Sequence, residues 1–147
     1  MTDTINKTEI DALNDVTKVL IDSRKGYEKC AELSDESFAF RTQFQKRASD
    51  RAALISRFQQ QVRTLGGEPQ TEGGTLGSLH RALTEFSSMF QDDRKAALEA
   101  IDDGEEHLAD SIKDRLEKSE VQSQSRALLE EAYSSARSGE AFADSLG

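Results

Sequence analysis

Cysteine, proline and the larger aromatics are scarce in this 147-residue chain, and each scarcity excludes something. A single cysteine, Cys30, rules out an intrachain disulfide and suits a reducing compartment; its place in an apolar helical pattern predicts a small core residue. No apolar run approaches the ~20 residues of a membrane span. The opening MTDTINKTEI has neither the basic start nor the hydrophobic centre of a secretory signal, so a cytoplasmic protein is expected. With no tryptophan, two tyrosines and a net charge of -9, the chain lacks the basic face with aromatic or amide readers that nucleic acid requires. It also has no Gly-rich phosphate loop before a helix, no activated Ser or Cys arrangement and no Cys/His zinc spacing. Nothing in it reads as catalytic machinery.

What is present is charge asymmetry and helical periodicity. Residues 36–65 carry six bases against two acids, and residues 92–147 carry fifteen acids against seven bases. The basic segment is therefore expected to lie beside acidic helices, of the same bundle or of a second subunit. At this length one domain spanning 1–147 is expected, large enough to fold without disulfides or a structural metal.

Four long segments have apolar residues at three- and four-residue steps. The first, about 3–33, carries Ile10, Leu13, Val16, Leu20, Tyr27 and Cys30, and Ser34-Asp35 supplies a break and the next N-cap. The second, about 36–65, carries Phe40, Phe44, Ala48, Ile55, Phe58, Val62 and Leu65, with Arg51 on the same stripe; Gly66-Gly67 ends it. Residues 66–75 hold the only proline and four of the nine glycines, and read as a loop. A shorter amphipathic helix, 76–90, follows, with Leu76, Leu79, Leu83, Phe86 and Phe90. The third long helix, about 93–118, carries Leu98, Ile101, Glu105, Leu108, Ile112 and Leu116. A capping box over 119–122 marks a fourth, about 120–146. One side of the fourth is small: Val121, Ser125, Leu128, Ala132, Ser135, Gly139 and Phe142.

Helices of 25 to 30 residues are roughly 40 Å long, which suits a bundle. Short connections pair the first helix with the second and the third with the fourth. The long 66–92 connection can run the length of the bundle, making helices two and three parallel. The expected fold is all-α: a ferritin-like four-helix bundle with one long crossover, containing a short helix, between helices 2 and 3.

In GYEKCAE (26–32), LGGEP (65–69), LHRAL (79–83) and AIDDGEE (100–106) the chain resembles the bacterial ferritin-like four-helix-bundle proteins grouped under domain of unknown function 2383. The likeness covers about residues 10–137 and implies a cytoplasmic bundle related to ferritins and rubrerythrins, in a family whose biochemical activity is not settled. Among ferritin-like proteins a di-metal site takes a Glu from each of two helices and a Glu-x-x-His pair from each of the other two. In the rubrerythrin-like frame Phe-x-x-x-Ala-x-x-Glu-x-x-His-Ala-x-x-Phe, Phe44, Ala48, Ile55 and Phe58 of this chain hold the frame, and Arg51 and Leu54 stand at the ligand positions. The corresponding residue of helix 1 is Leu20, seven before Tyr27; helix 4 offers Ala132 and Ser135; only Glu105 fits a ligand position. A guanidinium beside the site repels a divalent cation and cannot be deprotonated to ligate it, so di-iron is not expected.

A charge on a core stripe needs a partner, and facing helices at mid-bundle would bring Arg51 to Glu105 across a degenerate metal site. Two alternatives stay open: Arg51 snorkels along a groove to water, or it forms a small-anion pocket against the small face of helix 4. Arg24 and Glu28 flank Tyr27 and could join such a network, although residues of this kind more often lie on the surface. His80 and Arg81 match a His-Arg motif of the resembled family and read as a cap or a helix 2 contact; His107 reads as solvated. The functional expectation is a non-catalytic bundle acting through protein association, with stress physiology suggested only by the family's relatives. A di-metal oxidoreductase or iron-handling protein is the alternative. Self-association as a dimer is expected from the basic helix 2 against the acidic helices 3 and 4, the apolar surplus of 76–90, where Met89 adds to the stripe, and the small face of helix 4; the alternative is a monomer in which the 76–90 helix caps the bundle.

Overall fold

The computed structural model describes residues 2–33, 38–73, 94–118, 121 and 123–146. They form four helices: α1 (Thr2–Leu33), α2 (Phe38–Thr64), α3 (Arg94–Glu117) and α4 (Ser123–Leu146). Among the described residues there is no strand, and no helix is long and apolar enough to cross a membrane. The 76–90 helix expected from the sequence, with His80 and Arg81, lies outside the described residues, and so does the 34–37 connection.

Each helix is held by the stripe that its sequence repeats. In α1 Leu13, Val16, Leu20, Tyr27 and Cys30 are buried, and in α2 Phe44, Ala48, Arg51, Ile55, Phe58 and Val62. Leu108 and Ile112 of α3 and Leu129, Ala132 and Ala136 of α4 close the same core. Burying a Leu, Val or Phe side chain is worth roughly 1.5–3 kcal/mol, so these stripes, rather than helix propensity, carry the fold. The small face of α4 is wider than its sequence stripe: Leu129, Ala136 and Ala143 are buried beside it.

The helix ends have identifiable causes. At the end of α2 the Gly67 amide donates to the Val62 carbonyl (2.9 Å) and the Gly66 amide to the Arg63 carbonyl (3.0 Å). That is a Schellman closure, and Gly66 supplies the left-handed residue it needs, at φ 87°. The start of α4 corrects the sequence reading. The helix begins at Ser123, itself at φ 51°, and Val121 lies outside it, buried, so the capping-box position near 120 is too early.

Side-chain bonds fix the directions. Ser23 meets Arg51, and the chain just past α2 returns to the level of Ile10 and Asn14, so α1 and α2 are antiparallel. Asp15 pairs with Arg115 and Ser23 with Glu105, which makes α1 and α3 antiparallel too. It follows that α2 and α3 run the same way. Against α2, α4 is antiparallel: Arg47 bonds Ser138, Arg57 bonds Glu131 and Gln61 bonds Ser125.

After α2, residues 66–73 form a strap along the α1/α2 hairpin. Asn14 donates to the Glu68 carbonyl (2.9 Å) and accepts from the Gln70 amide (2.8 Å), and Gln59 donates to the Gln70 carbonyl (2.9 Å). Gly67 lies on Ile10 and Gly73 reaches Asp22 and Ile21, so the strap climbs α1 by about three turns.

Candidate functional site

Halfway along the bundle the apolar core is interrupted by one charged pair. Arg51 is 1% exposed and Glu105 4% exposed. Arg51 reaches this place because it occupies a stripe position between Phe44 and Phe58, both fully buried. Its guanidinium grips Glu105 in parallel: Nη1 donates to Oε1 (2.9 Å) and Nη2 to Oε2. Nη1 also donates to Ser23 Oγ of α1. On α4, Nε donates to Ser135 Oγ (3.2 Å) and Nη2 to the Ser135 carbonyl (3.3 Å). A guanidinium has five N–H donors, and five bonds from three neighbouring helices use them.

Glu105 is held as closely. Its Oε1 also faces the Ser23 hydroxyl at 3.5 Å, and its carboxylate lies directly on Gly139 of α4, where any Cβ would overlap it. The backbone of α4 can come this close only because residue 139 has no side chain. A buried ion pair needs this degree of hydrogen bonding, because desolvating two charges costs several kcal/mol each.

One side of the pair is aromatic. The Arg51 guanidinium carbon lies 5.6 Å from the centre of the Tyr27 ring. Tyr27 packs on Phe44 (6.3 Å) and Phe142 (6.5 Å), and Phe44 meets Phe142 edge-on at 5.7 Å. Arg47 covers the outside of this cluster, 4.6 Å from the Phe142 ring, and donates to the Ser138 carbonyl (3.1 Å) and hydroxyl (3.0 Å). Among the described residues the buried Tyr27 hydroxyl has no hydrogen-bond partner at normal geometry, and Glu105 is the acceptor that lies towards it. Burial, and secondarily the Glu105 charge, push it well above its ordinary value, so it stays protonated; Arg51 and Arg47 pull only partly the other way.

The other candidates are dispersed. Leu20, Leu54 and Ala132 are ordinary core residues. Arg24 and Glu28 do not join the network: they pair with each other on the surface of α1 (2.8 Å), on the wall of a groove of about 500 Å³ between α1 and α2. His107 is exposed. A second buried polar group, ~15 Å from the first along α4, has Ser125 Oγ donating to Glu9 Oε2 (2.8 Å) and accepting from Gln61 Nε2 (3.0 Å).

At the mid-bundle level the donor set does not fit a di-metal centre. It contains one carboxylate, already gripped on both oxygens by a cation, with two serines and a tyrosine around it. Among the described residues no three His, Cys, Asp or Glu side chains come together as metal ligands.

Sequence reasoning passed over two residues here. Ser23 lies three residues after Leu20 and four before Tyr27, so it fills a stripe position, and that spacing was the available signal. Gly139 stood out only as one of several small residues on helix 4; its role depends on which carboxylate faces it.

Comparison with known families places the chain. The family described as "Domain of unknown function (DUF2383)" matches residues 8–118, about three quarters of the sequence, and the chain belongs to it. No curated protein and no solved structure gives a significant match.

Proposed function

We propose that this member of the DUF2383 family is a non-catalytic, ferritin-like bundle that works through protein association, with an ion pair where ferritin-like proteins hold metal. One observation carries the reading: a guanidinium with all five donors engaged fills the mid-bundle level and grips the Glu105 carboxylate there. A site built this way resists a divalent cation twice, by the charge of Arg51 and by the prior commitment of Glu105. The parallel run of α2 and α3, and a strap that climbs α1 toward the far end, support a ferritin-like topology with one crossover. Association as a symmetric dimer in the cytoplasm completes the reading, supported by the apolar surplus of 76–90 in the sequence.

Elemental analysis of the purified native protein, together with its mass in solution, tests this. The expected result is less than one tenth of an iron, manganese or zinc ion per chain and a mass above that of one chain. Two transition-metal ions per chain, lost together with an oxidase activity, would overturn it.

A further inference from the structure

We propose that the groove between α1 and α2 is a docking site for an extended segment of a partner protein, held by its main chain as the strap 66–73 is held further down the same seam. The proposal rests on the reading of protein association given above and supplies a surface and the chemistry of the partner.

The lower part of the seam shows what the two helices recognise. Asn14 of α1 and Gln59 of α2 bond main-chain groups of the strap: the Glu68 carbonyl, the Gln70 amide and the Gln70 carbonyl. Side-chain amides used in this way read an extended backbone rather than a particular side chain. At Gly73 the strap lies on Ile21 and Asp22. The groove of about 500 Å³ opens immediately beyond, from Arg24 to Glu32 on α1 and from Ala52 back to Arg41 on α2.

The polar pair recurs in this groove. Glu28 stands fourteen residues after Asn14, and Gln45 fourteen before Gln59. Fourteen residues are close to four helical turns, ~21 Å, and in antiparallel helices the two steps go the same way along the seam. Glu28 and Gln45 therefore face the groove as Asn14 and Gln59 face the strap. Gln45 offers a donor and an acceptor; Glu28 offers acceptors and is steadied by Arg24 Nε (2.8 Å). The floor follows the same step. Ala31 and Ala48 stand fourteen residues from Thr17 and Val62, and each is smaller than its counterpart, so the groove has depth for one apolar side chain beneath a main chain.

These features define the occupant. It is extended, about four residues long over the 24–32 stretch of α1, and donates an amide to Glu28 while exchanging bonds with Gln45. A compact apolar residue such as proline lies on the alanine floor. Among the described residues Arg24 bonds through Nε alone, which leaves its two terminal amino groups for a carboxylate of the partner. The occupant thus has the composition of the strap, where Glu68 and Glu72 surround a partly buried Pro69.

The probe is the strap sequence supplied in trans. The capped peptide GGEPQTE, residues 66–72, is added to isotopically labelled full-length protein and followed through amide chemical shifts. A dissociation constant on the order of 1 mM or tighter is expected, with the shifts concentrated in 24–32 and 41–52. Gln45 is exposed, so Gln45→Ala leaves the fold intact; it should weaken binding about fivefold, the loss of a main-chain hydrogen bond, whereas Gln59→Ala should change it less than about twofold. No shift at about ten times that concentration overturns the proposal. So do shifts gathered around Asn14 and Gln59 that vanish in Gln59→Ala, since the peptide then displaces the strap. Nuclear Overhauser contacts in the free protein from the Ala48 and Ala52 methyl groups to residues outside α1 and α2 also overturn it, because the chain then fills its own groove. Metal content and mass, which test the function proposed above, do not enter these measurements, so either reading can fail alone.

Discussion

Two Arg–Glu pairs leave α2 six residues apart, with the same chemistry and opposite surroundings. Arg51–Glu105 is sealed in the core, whereas both members of Arg57–Glu131 are about half exposed (53% and 51%). Outside, one bond of 2.6 Å suffices. Its effect is the ordinary one: the hydrogen bond from Arg57 holds the Glu131 carboxyl below its usual 4.5, and Glu131 raises Arg57. Inside, the same pairing recruits Ser23, Ser135 and the bare backbone of Gly139. Water screens and solvates the outer pair, so little depends on its geometry. The inner pair has only the protein to solvate it, so nearly every neighbour is constrained by it.

The sharpest way to break this contrast is to remove half of the inner pair. Arg51→Met or Glu105→Leu leaves a buried charge alone and should cost about 3–5 kcal/mol in chemical denaturation; the double variant should recover most of that. Single variants as stable as wild type would refute the burial of the pair.

Next in size is Gly139→Ala. Its new methyl group overlaps the Glu105 carboxylate, and the displacement should cost about 1–3 kcal/mol. In a Glu105→Ala background the same change should be close to neutral, a coupling that a double-mutant cycle measures directly.

Tyr27→Phe removes a buried hydroxyl that has no hydrogen-bond partner among the described residues and should stabilise the protein by about 1 kcal/mol. It also changes the alkaline limb. A hydroxyl whose folded-state value lies above the unfolded 10.0 contributes stability that is full below pH 10 and is lost as pH rises through the folded value. Cys30, raised by burial from 9.0, acts in the same sense from about pH 9. Denaturation curves between pH 8 and 11 should fall for wild type and fall less for the Phe variant, which retains only the Cys30 part.

The smallest effect belongs to the outer pair. Arg57→Ala should cost about 0.2–1 kcal/mol at low salt and nothing resolvable in 1 M salt. Because Glu131 is depressed, its contribution is complete above pH 4.5 and is lost as pH falls through its lower folded value, so wild type and Arg57→Ala should converge in acid.

The sequence made some of this legible. A stripe running Phe44, Ala48, Arg51, Ile55, Phe58 places the arginine inside whatever the partner is, because a helix cannot turn one residue out of its row. The glycine pair after Leu65 likewise states where α2 stops. Gly139 and Ser23 are different. Their roles depend on which side chain on another helix faces them, and periodicity along one helix carries no information about register between helices. Arg24 and Glu28 show the converse case. Nearness to Tyr27 in sequence suggested membership of the network, but their spacing of four makes them partners of each other on the outer face of α1. The start of α4 is read about three residues early from the Ser and Gln pattern over 119–122, whereas the described helix begins at Ser123 and Val121 is buried outside it.

The sequence distance between the two halves of the inner pair also matters during synthesis. Arg51 and Glu105 are 54 residues apart. At ~5–20 residues per second the ribosome delivers the glutamate roughly 3 to 11 s after the arginine. Helix pairing takes microseconds to milliseconds. For most of that interval the nascent chain therefore carries a formed N-terminal half with an unanswered cation on an open apolar face. Any delay in translating the middle of the message lengthens the interval in proportion.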